Sequence, residues 1–181
     1  MVSFLQQLRE KRESRPIRIV FICTANCCRS PIAEILFEKM LMDELGSKEV
    51  LAEKKLCIES AATSYSGLSI ADKSAQILVK EEGVKASRCN AHRGRLLSEI
   101  DEPDLILTMS HSHLDDINVY FPFFQHKVFT LEQFVKADKN LPAYDVKDPI
   151  GGTDEDFRRI KNQIKANLTL LIEEFKLAGL L

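Results

Sequence analysis

A chain of 181 residues, 45% apolar and 29% charged, is long enough to bury a core of its own and has the balance of a globular domain. Its formal net charge of -2 excludes the basic excess of a general nucleic-acid binder, yet leaves room for a local positive site. The five cysteines are odd in number and lack a zinc-like Cys-x-x-Cys spacing, which fits a reducing, cytoplasmic setting better than a secreted disulfide framework.

Residues 1–15 carry Phe4, Leu5 and Leu8 ahead of a charged run. That apolar segment is too short for a signal-peptide core or a membrane span. It reads as an N-terminal helical arm capping the domain, with a partner-binding or targeting arm as the alternative. Residues 16–181 read as one domain. Ile17 to Ile22 is a buried strand, after which Ser30 is a good N-cap with Pro31 at the first helical position. Ile32, Ile35, Leu36 and Met40 give this helix an apolar face, and Gly46 is its stop. A second strand spans Leu56 to Glu59, and a helix runs from Ser69 to Glu82, ended by Gly83. Asp104 to Met109 is a third strand, Ser112 to Tyr120 a short helix, and Lys127 to Leu131 a fourth strand.

The last helix has the clearest pattern. Thr153 can cap it, Asp154, Glu155 and Asp156 suit its positive end, and Phe157, Ile160, Ile164, Leu168, Leu171 and Phe175 recur at steps of three and four. Strands alternating with helices imply an α/β domain, a parallel sheet covered on both faces. Ligands of such sheets bind beyond the carboxyl ends of the strands, and Cys23 lies at one of those ends.

The run Cys23-Thr24-Ala25-Asn26-Cys27-Cys28-Arg29-Ser30-Pro31 therefore sets a thiol after a strand, an arginine six residues on and a helix start beyond. A cysteine with an arginine six residues later is weak by itself; Ser-Pro and the strand–loop–helix placement make the combination specific. From Thr24 to Arg29, backbone N–H groups can converge on an anion at a helix N-terminus. Arg29 supplies a planar fork for two phosphoryl oxygens. The same donors favour the thiolate of Cys23, a nucleophile for phosphorus. The leaving group needs a proton, and a carboxylic acid is the natural donor. Asp148, before Pro149-Ile150-Gly151-Gly152, is the candidate, although such a string is equally the signature of a plain turn.

The Cys23-to-Pro31 run, Ile32-Ala33-Glu34 after it and the late Asp148-Pro149 resemble the low-molecular-weight protein tyrosine phosphatases, from about Ile17 onward. The resemblance implies a single-domain, flavodoxin-like three-layer sandwich with a four-stranded parallel sheet. It also implies a cysteinyl-phosphate intermediate on Cys23 and no metal or other cofactor. Asp148 would protonate the leaving group and then activate water. Asn26 and Ser30 match a hydrogen-bond network of that family, Ser60 and His92 its remaining members, and Ser30 would stabilise the thiolate during hydrolysis of the intermediate.

Two loop positions depart from the pattern. Ala25 stands where glycine is usual, and glycine reaches dihedrals that alanine resists. Cys27 stands where tyrosine-specific members tend to have a bulky apolar residue and bacterial arginine phosphatases a threonine. Ile150-Gly151-Gly152 and Lys127 to Leu131 look more like the arginine-phosphatase branch, while Tyr65 and Ile150 could wall a phenyl ring. The expected activity is hydrolysis of phosphotyrosine in phosphoproteins, with phosphoarginine, or an inactive phosphate-binding module, as alternatives. Arsenate reductases share the cradle but need further cysteines after the third strand, where Thr108 to His113 has none. Cys28 either forms a reversible disulfide with Cys23 under oxidation or packs inward. His111 and His113 read as exposed histidines at a helix start. The expected partners are phosphorylated proteins or peptides, with neither nucleic acid nor membrane, and the expected state is a monomer or weak dimer.

Overall fold

A computed structural model describes residues 2–65, 67–136 and 144–181. Four strands, β1 (Ile17–Cys23), β2 (Leu56–Ala62), β3 (Leu105–Thr108) and β4 (Val128–Thr130), form one parallel sheet in the order β2-β1-β3-β4. The helices are α1 (Val2–Ser14), α2 (Arg29–Leu45), α3 (Lys48–Glu53), α4 (Asp72–Glu82), α5 (Ala86–Ala91), α6 (His111–Tyr120), α7 (Leu131–Lys136) and α8 (Asp154–Leu177). The expected three-layer α/β sandwich is the observed one.

The alternation of strand side chains decides which layer each residue joins. On β1, Ile17, Ile19, Phe21 and Cys23 enter the larger core with α1, α2 and α8, whereas Val20 and Ile22 face the smaller core with Ile106, Ile117 and Val128. Phe37 of α2 meets Phe21 edge-on at 5.7 Å and Phe175 of α8 at 6.0 Å, which fastens the long helices to the central strand. Leu5 and Leu8 of α1 are buried in the same core, and Asp104 accepts charged hydrogen bonds from Lys11 and Arg15, so the helical arm lies against the domain.

Local signals at most helix ends act as their chemistry predicts. Gly46 and Gly83 terminate α2 and α4 with left-handed φ of 85° and 67°, which suits residues without Cβ. Thr153 and Asp156 form a reciprocal capping box at the start of α8. The start of α2 differs from expectation. It begins at Arg29 with Cys28 at the cap position and no side-chain cap, so Ser30 and Pro31 are the second and third helical residues. The Ser30 hydroxyl is drawn instead toward the sulfur of Cys23. β2 also runs on through Ser60, Ala61 and Ala62, because pairing with Phe21, Ile22 and Cys23 buries residues of poor intrinsic strand propensity.

Candidate active site

β1 ends at Cys23, and the chain then curls back on itself before α2 begins at Arg29. Neighbouring backbone pins this loop on several sides. Thr63 and Ser64 donate N–H bonds to the carbonyls of Cys23 and Thr24, both at 3.1 Å, and Ala71 donates to Cys27 at 2.8 Å. The left-handed turn that the loop requires falls on Asn26, at φ 50°, and not on Ala25. Asparagine tolerates this region better than other side chains. The loop thus has a conformation open to alanine at position 25.

Asn26 is completely buried and organises the ring beneath the nucleophile. Its Oδ1 accepts from the Arg95 N–H at 3.2 Å, which fixes the amide so that Nδ2 donates to Ser30 Oγ at 3.0 Å and Ser60 Oγ at 2.7 Å. The Ser60 hydroxyl donates in turn to the Glu34 carboxylate. Ser30, having accepted from Asn26, has its proton free for Cys23 Sγ, 3.0 Å away. The polarity of the chain therefore runs toward the sulfur, which is left to accept the Ser30 hydrogen bond. His92 Nε2 donates to the Asn26 carbonyl at 2.8 Å, so the four supporting residues expected from sequence meet in one cluster.

Glu34 completes that cluster and has no role in the sequence reading. It is buried, accepts the Ser60 hydrogen bond, pairs with Arg88 and lies 3.8 Å from His92 Nδ1. Burial alone would lower the pKa of Arg88; the Glu38 hydrogen bond and the Glu38 and Glu34 charges more than offset it and hold the guanidinium protonated. A charge inside the otherwise apolar stripe Ile32-Ala33-Glu34-Ile35-Leu36 was the available signal.

Arg29 lies 7% exposed over the loop. Its Nη1 donates to the Val146 carbonyl at 3.1 Å, and Nη2 donates to Asp148 Oδ2 at 2.6 Å and, more weakly, to Thr24 Oγ1 at 3.4 Å. The buried Nε has no partner among the described residues, a donor left over for an anion. Val146 is tied to Met109 beyond β3 by a 2.8 Å backbone bond, which places Asp148 two residues on at the loop. Lys73 of α4 donates to the Gly152 carbonyl at 2.8 Å and tethers the far end of that segment. Asp148, 119 residues from Arg29 along the chain, is thereby brought beside the loop that carries Cys23 and Arg29. Tyr65 and Ile150, the expected substrate walls, are 63% and 64% exposed. Both stand on segments that adjoin the loop: Ser64 bonds to Thr24, and the Ile150 N–H bonds to Asp148 Oδ1.

Cys28 packs inward with Ile77 and Phe157, and its thiol neighbour is Cys27, with sulfurs 3.7 Å apart. A hydrogen bond from Cys28 stabilises the Cys27 thiolate, lowering the Cys27 pKa and raising that of Cys28.

His113 corrects the sequence reading. His111 is half-exposed beside Asp145 and Gln133, as expected, but His113 is only 3% exposed. The α6 turn directs its ring back across the carboxyl edge of the sheet, with Nδ1 2.8 Å from Ser110 Oγ and Nε2 2.9 Å from Thr24 Oγ1. Burial and then the Arg29 charge push its pKa down to about 4, against the opposing pull of Asp148 and Asp145. Its folded pKa lies below the ordinary 6.5, so the unfolded chain binds more protons in between. The stability contributed is fully present above pH 6.5 and is lost as pH falls to about 4, a swing of about 3 kcal/mol. Urea midpoints across that range should fall for the parent and fall less for His113→Gln; parallel slopes would refute the assignment.

Among the described residues, no group of three or more His, Cys, Asp or Glu side chains could hold a metal ion, and no helix is long and apolar enough to cross a membrane.

Comparison with known proteins agrees with this geometry. The family model for low molecular weight phosphotyrosine protein phosphatase matches residues 18–178. A protein-arginine-phosphatase of Geobacillus stearothermophilus is 34% identical over 163 residues, 89% of this chain and 97% of the relative. The low molecular weight protein-tyrosine-phosphatase PtpB of Staphylococcus aureus is 32% identical over 141 residues, 77% of this chain and 85% of the relative. A solved YwlE arginine phosphatase, a cysteine-to-serine mutant with a phosphorylated active-site serine, superposes with a TM-score of 0.74 at 28% identity, covering 88% of this chain and 96% of its own. By the family match across most of its length, and by the loop, arginine and acid that the fold brings together, the chain belongs to the low molecular weight phosphotyrosine protein phosphatase family.

Proposed function

We propose that this protein removes phosphate from phosphorylated protein side chains, phosphotyrosine first, through a cysteinyl-phosphate on Cys23. The observation that carries the reading is the convergence of Cys23, Arg29 and Asp148 on one anion-ready loop. In the first step Cys23 Sγ attacks phosphorus in line, the S–P bond forms as the P–O bond to the side chain breaks, and Asp148 delivers its proton to the departing oxygen. Arg29 and the loop N–H groups hold the three equatorial oxygens. In the second step Asp148, now a carboxylate, takes a proton from water, whose oxygen displaces the thiolate, and the Ser30 hydroxyl receives the returning charge. Tyr65 and Ile150 offer apolar surface beside the entrance for a phenyl ring. The substrate is a phosphoprotein or phosphopeptide. The five free cysteines suit a cytoplasmic setting, where we place a monomer or weak dimer acting on phosphoproteins without nucleic acid or membrane.

A second reading, phosphoarginine, is favoured by the 34% identity to an arginine phosphatase across nearly the whole domain. Two peptides of one sequence, one carrying phosphotyrosine and one phosphoarginine, decide between them through kcat/KM. A preference of about tenfold for phosphotyrosine is expected, with Cys27→Ile raising the ratio and Cys27→Thr lowering it. A large preference for phosphoarginine would overturn the first reading in favour of the second.

A further inference from the structure

His113 lies outside the chemistry above, yet it touches the phosphate loop. Thr24 follows the nucleophile directly, and its Oγ1 stands between the ring of His113, at 2.9 Å, and Nη2 of Arg29, at 3.4 Å. The far side of the ring is held by Ser110 Oγ at 2.8 Å, itself 2.8 Å from Ser112 Oγ. Ser110 in turn is fixed where β3 ends, because Thr108 Oγ1 donates to its carbonyl at 3.0 Å. A continuous set of contacts thus runs from the carboxyl end of β3, through the first residues of α6, into the loop after β1.

Resting on the phosphatase reading, we propose that His113 is a positioning residue: through Nε2 it fixes the Thr24 hydroxyl, and through Thr24 the wall of the anion cradle and the edge of the Arg29 fork. Arg29 donates to Thr24 Oγ1 from one side. When Nε2–H donates from the other, both oxygen lone pairs are used, and the hydroxyl proton is left to point along the remaining direction. Ser110 O–H then serves Nδ1. A neutral imidazole suits this task, because a ring charged beside Arg29 would repel the guanidinium it helps to set. A loop threonine held by a buried ring is preorganised before substrate arrives, and small misplacements in such cradles are costly.

The two ring nitrogens allow the positioning role to be separated from mere packing. Glutamine reaches as far as Nε2 and can restore the bond to Thr24. Asparagine reaches only as far as Nδ1 and restores the bond to Ser110. His113→Gln is therefore expected to keep kcat/KM for an aryl phosphate within about threefold of the parent, and His113→Asn to lose about tenfold or more. In a Thr24→Val background the same His113→Asn change should add less than about twofold, since the intermediary is gone. Affinity for inorganic phosphate, measured by calorimetry on the same proteins, should follow the same order. If the parent binds phosphate without hydrolysing anything, the phosphatase reading fails, while the Gln-over-Asn order in phosphate affinity still decides the role of His113. Equal losses for Gln and Asn, or losses that multiply fully with Thr24→Val, would overturn the inference. Circular dichroism establishes that each variant is folded, and Thr24→Val carries the comparison if a His113 variant is not.

Discussion

Replacing Cys23 with serine is expected to lower kcat on an aryl phosphate by a factor on the order of 10^4 or more while leaving inorganic phosphate bound. The two effects separate because the residue has two surroundings. Its sulfur is the attacking atom, and a serine hydroxyl at that position stays a neutral alcohol at working pH. In the proposed cradle, by contrast, phosphate is held by loop N–H groups and by Arg29, whose guanidinium bonds to Val146, Asp148 and Thr24 and not to the sulfur. Calorimetry should therefore give a phosphate Kd within about threefold of the parent for the variant that has lost turnover. Retained turnover in the serine variant would mean that another group attacks phosphorus. A parent that binds phosphate and turns nothing over would make the chain a phosphate-binding module, the reading that Ala25 left open. The location of the left-handed turn on Asn26 argues against that outcome, since alanine imposes no strain on the loop.

The reaction was legible in the sequence because its parts are local. A thiol after an apolar strand, an arginine six residues on and Ser-Pro beyond are contiguous, and the strand–loop–helix setting is itself a periodicity signal. Asp148 was legible only in part: its Pro-Ile-Gly-Gly context reads equally as a turn, and its place beside the loop depends on long-range ties, Val146 to Met109 and Asp148 to Arg29. His113 was not legible. Ser110-His111-Ser112-His113 contains no hydrophobic contrast to say which histidine turns inward, and its partner Thr24 lies 89 residues away. The same limit hid α3, α5 and α7. Each has six residues, too few for a helical period to stand out, and forms because the surrounding core holds it. Ser30 shows a local rule overridden by a tertiary need. Its hydroxyl would serve well as a cap, but the loop uses it to solvate the sulfur, and the N–H groups it would have capped stay available to an anion.

Asp148→Asn is expected to cost about 10^2- to 10^3-fold in kcat on a substrate with a poor leaving group and much less on p-nitrophenyl phosphate. The difference follows from the acid's task. A nitrophenolate departs without help, whereas the oxygen of an unactivated phenol or of tyrosine needs a proton as its bond to phosphorus breaks, and asparagine has none to give. A second consequence arises from the ligand-free geometry. Asp148 is 48% exposed and its Oδ2 sits 2.6 Å from Arg29 Nη2, on the fork that must receive phosphoryl oxygens. An arriving dianion has to displace this carboxylate or share the guanidinium with it, and two negative charges on one fork repel. Removing the charge should therefore tighten inorganic phosphate binding, by a few-fold at low salt and less at high salt as screening grows. The variant is thus expected to bind its product better while turning over more slowly, a combination that general damage to the site would not produce. An unchanged kcat on the poor leaving group would remove Asp148 as the acid. Weaker phosphate binding would show that Asp148 supports the Arg29 fork instead of competing for it.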